Sequence, residues 1–194
     1  MSLDSNSWNQ RYISKNTGWD IGFVSTPIKE YIDQINNKNI RILIPGCGNA
    51  HEAEYLFNKG YENVFLLDIA PLALQQFANR VNHFPKKNLI ESDFFQHEGK
   101  YDLILEQTFF CAIKPTLRND YVQNMHKLLK PKGKLVGLLF AEEFDNDHPP
   151  FGGTKEEYEQ RFKRLFDFKK IEIAYNSIEQ RKGRELFINF IRQE

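Results

Sequence analysis

Short apolar runs alternate with amphipathic segments along most of the chain. Five of the runs have the length of buried strands, and they occupy residues 41–44, 64–67, 89–91, 103–105 and 135–140. Between several of them apolar residues recur three or four positions apart, which predicts helices over residues 27–36, 50–59, 71–81 and 117–130. Pro71 suits the first turn of a helix, and KPKG at residues 130–133 is expected to stop another before the next strand. This alternation predicts a parallel sheet with helices on its faces.

The pattern changes after residue 140. Prolines and glycines in AEEFDNDHPPFGGT mark a long loop, and a helix follows it within residues 141–165. Residues 168–175 and 186–192 are two further predicted strands that pair antiparallel. The predicted fold class is therefore α/β: a doubly wound, mostly parallel sheet of seven strands with an antiparallel edge strand.

The composition narrows the class of protein. A chain of 194 residues suffices for one core, so we expect residues 1–194 to form a single domain. Its 26 Lys and Arg balance 26 Asp and Glu, which argues against nucleic-acid binding and against attraction to a membrane surface. The longest apolar run, LVGLLFA, is too short to span a bilayer, and the polar first residues show no targeting pattern. With only Cys47 and Cys111 as thiols, the expectation is a cytoplasmic protein with reduced cysteines.

The most informative local motif spans residues 41–70, where a strand, a glycine turn, a helix and a second strand follow one another. Gly46 and Gly48 allow a ligand to approach the backbone closely, and Asp68 can accept hydrogen bonds from both hydroxyls of a ribose. A dinucleotide fingerprint needs a third glycine where this chain has His51, which weakens nicotinamide or flavin binding. The motif instead favours a ligand with ribose and adenine but no phosphate, such as S-adenosylmethionine. The alternative is purely structural, with the glycines making a tight turn and Asp68 capping the next helix.

The ends of the other predicted strands supply further candidates. In a doubly wound sheet, ligands bind beyond the carboxyl ends of the strands. Asp68 ends the second strand, Asp93 and Phe94 follow the third, and Glu106 and Gln107 end the fourth. Three carboxylates at neighbouring strand ends repel one another unless a ligand supplies hydrogen-bond donors, which favours a binding site over helix capping.

Together these motifs resemble the thiopurine methyltransferase superfamily of class I S-adenosylmethionine-dependent enzymes, and most closely its halide and thiol methyltransferase branch. The motifs that carry the resemblance are TGWDIGFVSTP (17–27), IPGCGNAHE (44–52), LLDIA (66–70), SDFF (92–95), DLILEQTFFCAI (102–113), LLKPKGKL (128–135) and HPPF (148–151). Their order and spacing are specific and cover nearly the whole chain. The resemblance implies a Rossmann-like fold, S-adenosyl-L-methionine as the methyl donor and S-adenosyl-L-homocysteine as the product.

The resemblance also implies roles for single residues. An N-terminal segment, residues 1–37, would close over the cofactor, whose sulfonium cation is attracted to aromatic faces by about 0.5–2 kcal/mol. The implied cofactor-binding residues are Trp8, Tyr12, Trp19, Gly46, Gly48, Asp68, Ile69, Asp93, Phe94, Glu106 and Gln107. Gly46 would contact the methionine portion, Asp68 the ribose, and Asp93 and Phe94 the adenine. For the aromatic residues of the N-terminal segment, the alternative is a role as core anchors.

Three positions depart from the family pattern. Gln107 stands where the halide branch has an aromatic residue and the thiopurine branch an arginine. Phe151 replaces a tyrosine, and FINF at residues 187–190 replaces a GRW segment. These changes leave cofactor binding intact and bear on the choice of the acceptor.

The acceptor pocket is predicted from aromatic residues in separate segments. Trp19, Phe109, Phe110, Cys111 and Phe151 would form a desolvated pocket for methyl transfer by in-line displacement. A halide, thiocyanate or hydrosulfide already carries the attacking electron pair, so no general base is expected. No sequence signature joins Cys111 to a histidine, so it is interpreted as a small wall residue, and the five histidines show no metal-ligand spacing.

The predicted function is methyl transfer to a small molecule or small anion, namely a thiol, hydrosulfide, halide or thiocyanate. The alternatives are a thiopurine-like or metalloid-detoxifying methyltransferase, a non-catalytic adenosyl-binding module and a nucleotide-dependent oxidoreductase. The loop and helix of residues 141–165 are expected on the substrate side. RKGRE at residues 181–185 is predicted to be an exposed hairpin turn, with a substrate-side role as the alternative.

Overall fold

Seven strands form one sheet in the computed structural model of the protein, which describes residues 3–194. The strands are β1 (Ile42–Pro45), β2 (Val64–Asp68), β3 (Leu89–Glu91), β4 (Tyr101–Gln107), β5 (Leu129–Phe140), β6 (Phe166–Ile173) and β7 (Glu185–Arg192). Their order across the sheet is β3-β2-β1-β4-β5-β7-β6. Met1 and Ser2, the first two residues of the predicted N-terminal segment, lie outside the described residues.

The directions of the strands confirm the predicted fold class. Strands β1 to β5 pair in parallel, whereas β7 is antiparallel to both of its neighbours, β5 and β6. The reversed strand is the second from the edge, because β6 and β7 form a hairpin in which β7 returns between β6 and β5. Glu185, the first residue of β7, therefore pairs with Phe140 at the carboxyl end of β5.

The helices are α1 (Ser5–Ile13), α2 (Thr26–Asp33), α3 (His51–Asn58), α4 (Pro71–Arg80), α5 (Arg118–Leu128) and α6 (Lys155–Phe162). Helices α2 to α5 confirm the four predicted helices, and α6 is the helix expected after the long loop. Helix α1 was not predicted. Its sequence signals are Asp4, whose carboxylate accepts a hydrogen bond of 2.9 Å from the backbone N–H of Ser7, and the four-residue spacing of Trp8 and Tyr12. None of the described helices combines the length and apolar character needed to cross a membrane.

Strand β5 begins earlier than predicted. Leu129 already pairs with Tyr101, and the register then shifts so that Lys134 faces Leu103. The KPKG sequence is therefore an irregularity inside the strand, where Lys132 adopts a φ of 62°. The expected helix end at residue 130 and strand start at residue 135 were wrong, since α5 ends at Leu128 and the strand follows directly.

Both faces of the sheet are buried. Successive side chains of β1 point to opposite faces, so Leu43 joins a core cluster with Tyr121 of α5, whereas Ile42 and Ile44 join a second cluster with Phe77 of α4. A strand covered by helices on both faces needs a continuous apolar sequence. This packing leaves the carboxyl ends of the parallel strands as the accessible edge of the sheet.

Candidate active site

A cleft lies between the carboxyl ends of β1 and β4 and the segment that precedes α2. It encloses about 450 Å³, part of which is open to solvent. Trp19 and Asp20 line one side, the turn from Gly46 to Glu52 lines another, and Gln107 and Thr108 line the end of β4. Sequence-predicted residues from three distant parts of the chain thus share one cavity.

The glycine turn is shaped by close aromatic contacts. Gly46 and Gly48 have φ values of 55° and 54°, in the left-handed region where side chains are disfavoured. A Cβ atom at Gly46 would lie 2.1 Å from Cδ2 of Phe109, and one at Gly48 would lie 3.2 Å from the hydroxyl oxygen of Tyr12. The absence of side chains therefore lets the N-terminal segment and the loop after β4 approach the turn.

Asp68 connects the glycine turn to the end of β2. Its carboxylate accepts hydrogen bonds from the backbone N–H groups of Gly48 at 2.9 Å and Ala70 at 2.8 Å. Burial raises the pKa of Asp68, and these hydrogen bonds oppose that shift. Each carboxylate oxygen retains a further lone pair, so the structural role and the predicted ribose contact are compatible.

The aromatic residues of the N-terminal segment meet at one point. The Trp19 ring makes edge-to-face contacts with Trp8 and Tyr12, with ring centroids 5.7 and 5.9 Å apart. Tyr12 is buried, whereas Trp8 and Trp19 are half-buried. The resemblance named the same three residues, and the structure brings them together beside Gly48.

Polar side chains that the sequence did not single out as functional hold this segment on the glycine turn. Asp20 accepts hydrogen bonds from the backbone N–H of Gly22 at 2.8 Å and from the side chain of Asn49, and Nε2 of His51 lies 2.8 Å from it. Burial favours a higher pKa for Asp20, but the three hydrogen bonds outweigh it and lower the pKa. The only sequence signal for this contact is that Asp20 and His51 both fall within motifs shared with the family.

The RKGRE sequence is more than an exposed turn. The Arg181 side chain is 11% exposed, and its guanidinium donates a hydrogen bond of 2.7 Å to the carbonyl oxygen of Trp19. A second nitrogen of the guanidinium lies 3.4 Å from the carboxylate of Glu185, whose side chain is 4% exposed. The predicted exposed turn holds for Lys182 and Arg184 and was wrong for the two residues that flank them.

Glu106 does not face the cleft as the strand-end argument proposed. Its side chain is fully buried, and one oxygen accepts the backbone N–H groups of Phe109 and Phe110 at 2.8 and 2.9 Å. The other oxygen accepts the hydroxyl of Tyr121. Because all of these donors belong to the protein, the assignment of the Glu106 side chain as a cofactor ligand is corrected to a structural role in the loop after β4.

Backbone N–H groups also donate hydrogen bonds to the other strand-end carboxylates. Asp93 is exposed and accepts the backbone N–H of Phe95 at 2.9 Å. Each of these carboxylates therefore has hydrogen-bond donors within the protein, and donation from a ligand to Asp68 or Asp93 stays a prediction. No group of three or more His, Cys, Asp or Glu among residues 3–194 is arranged to hold a metal ion. Phe94 is 4% exposed, with its ring centroid 5.1 Å from that of Phe109, and Ile69 is half-buried beside Asp68.

The predicted acceptor residues separate into two groups. Phe110 and Cys111 line a second, much smaller cavity, together with Thr108, Leu138, Leu139, Phe140, Tyr158 and Glu185. The other three residues lie elsewhere: Trp19 lines the larger cleft, and Phe109 lies over Gly46. Phe151 supports the loop after β4 by donating its backbone N–H to the carbonyl oxygen of Cys111 at 2.7 Å. Thr108 lines both cavities, so the cleft and the second cavity adjoin at this residue. Its φ of 56° is rare for a β-branched residue.

The cleft fits an adenosyl ligand that carries a sulfonium cation. Aromatic faces from the N-terminal segment border it, and the glycine turn exposes its backbone there. The side-chain oxygen Oε1 of Gln107 is a buried acceptor that lacks a hydrogen-bond partner within the described part of the chain. A buried acceptor without a donor is costly unless a ligand supplies one, so Gln107 is a candidate for binding a donor group of the ligand.

Most of the chain matches a known protein family and several known proteins. Residues 3–191 match the family described as thiopurine S-methyltransferase. The chain is 32% identical over 188 residues to probable thiol methyltransferase 2 of Arabidopsis thaliana, covering 93% of this chain and 82% of that protein. It is 29% identical over 191 residues to thiocyanate methyltransferase 1 of Brassica oleracea, covering 95% of this chain and 84% of that protein.

Solved structures of other methyltransferases have the same fold. A Burkholderia thailandensis 1,6-didemethyltoxoflavin-N1-methyltransferase, solved with 1,6-didemethyltoxoflavin and S-adenosylhomocysteine, superposes with a TM-score of 0.77 at 15% identity. The superposition covers 98% of this chain and 87% of that one. With the family match spanning nearly the whole chain, the protein belongs to the thiopurine S-methyltransferase family and is an S-adenosylmethionine-dependent methyltransferase.

Proposed function

We propose that the enzyme methylates a small soft nucleophile, of the class that includes thiols, hydrosulfide, halides and thiocyanate. The observation that carries this proposal is the second cavity, which is small, mostly apolar and adjoins the cofactor cleft at Thr108. Soft nucleophiles are held back in water by their hydration, and an apolar cavity removes that hydration. The similarity to a probable thiol methyltransferase and a thiocyanate methyltransferase supports the same class of acceptor.

The cofactor would be held by the larger cleft and by residues next to it. Of the implied cofactor-binding residues, Trp19, Gly46, Gly48 and Gln107 line the cleft itself. Trp8, Tyr12 and Trp19 would cover the cofactor, Asp68 would accept hydrogen bonds from the ribose hydroxyls, and Gln107 would accept from a donor of the methionine portion. The remaining implied contacts, Gly46, Gly48, Ile69, Asp93 and Phe94, lie on the turn or at strand ends beside these residues. When bound, S-adenosylmethionine supplies the electrophilic methyl group.

The chain contributes orientation and the exclusion of water. The hydrogen bonds of Glu106 to the backbone of Phe109 and Phe110 fix the loop that forms the wall of the second cavity. Phe110 is held in turn by Tyr121 and Tyr158, whose ring centroids lie 4.9 and 5.5 Å from its own. Rigid placement of the acceptor is worth more to the reaction rate than any single contact, because it converts a chance collision into an aligned approach.

Cys111 contributes to the wall and not to the chemistry. Burial raises the pKa of its thiol to about 12, so the thiol stays protonated and unreactive at neutral pH. Its Sγ donates to the carbonyl oxygen of Thr108 at 3.3 Å. A small, protonated side chain at this position leaves room for an acceptor beside Thr108.

The test is methyl transfer from labelled S-adenosylmethionine to iodide, thiocyanate, hydrosulfide, a small organic thiol and a thiopurine, with volatile products trapped. We expect turnover with at least one small soft nucleophile. We expect turnover of the thiopurine to be much less efficient. Binding of S-adenosylhomocysteine is measured separately by calorimetry. Tight binding without turnover of any small nucleophile would contradict the proposed acceptor class and leave the fold and cofactor assignment unaffected.

A further inference from the structure

Glu185 places a carboxyl group in the wall of the second cavity. The residue is 3% exposed and lines this cavity together with Thr108 and Cys111. Its position follows from the reversed direction of β7, because an antiparallel strand brings its first residue to the edge where the parallel strands end. The register confirms this placement, since Glu185 pairs with Phe140 at the end of β5.

The other polar groups of the cavity wall are already engaged within the protein. The hydroxyl of Tyr158 donates to the carbonyl oxygen of Phe140 at 2.9 Å, and that of Thr108 donates to the carbonyl oxygen of Gln107 at 2.7 Å. The thiol of Cys111 donates to the carbonyl oxygen of Thr108. Among the residues that line the cavity, Glu185 is the one with a carboxyl group, and a carboxylate accepts a proton readily.

Ionisable groups surround Glu185 on its own hairpin and across the second cavity. Burial raises the pKa of Glu185, and the Ser177 hydroxyl and the nearby guanidinium groups of Arg181 and Arg184 oppose that shift. Burial also raises the pKa values of Cys111 and Tyr158. Both of these groups stay protonated at neutral pH, so neither competes with Glu185 as a proton acceptor.

We propose that Glu185 accepts the proton of a neutral thiol bound in the second cavity, and that protonated thiols, including hydrogen sulfide, are the preferred acceptors of this enzyme. The S–H bond breaks, its electron pair stays on the sulfur as a thiolate, and the proton forms an O–H bond with the carboxylate of Glu185. The thiolate is then the nucleophile of the methyl transfer. This inference rests on the proposed function and selects one substrate class within it.

The same carboxylate disfavours the competing acceptors. A halide or thiocyanate ion carries a permanent negative charge and would share a poorly hydrated cavity with a second negative charge. Arg181, 3.4 Å from Oε1 of Glu185, offsets part of that repulsion but is also committed to the carbonyl oxygen of Trp19. A neutral thiol enters without this penalty and needs the proton acceptor that an anion does not need.

The test compares Glu185→Gln with the unmodified enzyme on two acceptors, 2-mercaptoethanol and iodide. At pH 7 the variant is expected to lose about 10²- to 10⁴-fold in kcat/KM for the thiol, the usual contribution of a positioned base. Its kcat/KM for iodide should stay the same or rise, because the substitution removes a negative charge and no proton has to move. The deficit for the thiol should shrink as the pH approaches the pKa of the thiol in solution, where the thiolate is supplied directly.

Three controls separate this role from a structural one. Glu142→Gln removes an exposed carboxylate that pairs with Arg184 near the same hairpin, and it should leave both acceptors unaffected. Glu185→Asp should recover part of the thiol activity, and the affinity of Glu185→Gln for S-adenosylhomocysteine should equal that of the unmodified enzyme. An equal loss with thiol and iodide, or a pH-independent deficit, would overturn the role of Glu185. An unmodified enzyme that prefers iodide would overturn the substrate preference, whereas one that binds S-adenosylhomocysteine but methylates no soft nucleophile would overturn the proposed function itself.

Discussion

The hydroxyl of Tyr121 on α5 donates a hydrogen bond to the carboxylate of Glu106 at the end of β4. Both side chains are fully buried, and the remaining donors to this carboxylate come from the backbone of the loop that lines the second cavity. The contact therefore joins a helix, a strand and a loop of the active site through one ionisable group.

Removing this contact should destabilise the protein measurably. Tyr121→Phe is expected to lower the free energy of unfolding by about 1.5–3 kcal/mol at pH 8, because it removes a hydrogen bond to a charged acceptor. Tyr158→Phe is the matched control, since Tyr158 is equally buried but donates to a neutral carbonyl oxygen, and its loss should be about 0.5–1.5 kcal/mol. Urea unfolding measures both, and equal losses would contradict the ionised state of Glu106.

Glu106 should also make stability depend on pH. Burial raises the pKa of Glu106 from 4.5 to about 7, although the Tyr121 hydroxyl and two backbone N–H groups oppose the shift. The folded state therefore binds this proton more tightly than the unfolded state, so its contribution to stability is complete below about pH 4.5 and is lost as the pH rises through 7. The expected decrease in the free energy of unfolding is on the order of 3 kcal/mol. Glu106→Gln should remove this decrease, whereas Glu98→Gln, on an exposed residue, should retain it.

The close approach of the Phe109 ring to Gly46 predicts that substitutions at these two positions have coupled effects on the free energy of unfolding. Gly46→Ala should lose about 1–2 kcal/mol from its left-handed backbone and more from the clash with the Phe109 ring. Gly22→Ala is the control, because Gly22 has a φ of 81° but no atom within 4 Å of its added Cβ. The double variant Gly46→Ala/Phe109→Ala should recover the clash portion, as a double-mutant cycle of unfolding free energies would reveal. Strict additivity would mean that the ring does not press on the turn.

Asp68 should matter to both folding and cofactor binding. Asp68→Asn leaves one acceptor oxygen for two backbone N–H groups, and it weakens any hydrogen bond from a ribose. The dissociation constant for S-adenosylhomocysteine is expected to rise about 5- to 150-fold, which corresponds to about 1–3 kcal/mol. Calorimetry measures this change, and an unaltered affinity in a folded variant would refute the ribose contact. Asp102→Asn serves as the control, because Asp102 lies near the first residue of β4, away from the carboxyl ends of the strands that border the cleft.

Arg181 should control how firmly the N-terminal segment is held. Arg181→Ala removes a charged hydrogen bond to the carbonyl oxygen of Trp19, which is worth about 1.5–3 kcal/mol and should increase opening of the segment about 10- to 150-fold. Limited proteolysis should then cut the chain before α2 sooner, and S-adenosylhomocysteine should dissociate faster. Arg184→Ala removes an exposed arginine three positions away and should change neither rate. If the two variants behave alike, the hydrogen bond does not hold the segment.

Local sequence patterns sufficed for the parts of the site that lie within one strand–turn–helix unit. Gly46, Gly48 and Asp68 are positioned by neighbouring residues, and the structure places them together as the motif predicts. Glu106 was misassigned because a strand-end rule identifies the edge of the sheet but not the direction of each side chain. Alternation along β4 turns Glu106 away from the cleft and leaves Gln107 facing it.

Contacts between distant segments were beyond sequence reasoning. The position of Glu185 in the cavity wall depends on the antiparallel pairing of β6 and β7 and on the place of β7 between β5 and β6. The sequence predicted the antiparallel pairing but not the place of β7 in the sheet. The start of β5 was misplaced because KPKG is a typical helix stop, yet the strand accommodates it as an irregularity. In each of these cases tertiary pairing overrides the local preference.

The hydrogen bond between Arg181 and Trp19 spans 162 positions of the chain, and this separation has a consequence for biosynthesis. The segment around Trp19 is translated well before Arg181 and β7. A nascent chain folds progressively from its N-terminus, so the glycine turn and Asp68 are in place while the partner of Trp19 does not yet exist. Formation of β7 is therefore the event that fixes the N-terminal segment over the glycine turn, and the protein becomes able to retain its cofactor only after β7 has been synthesised.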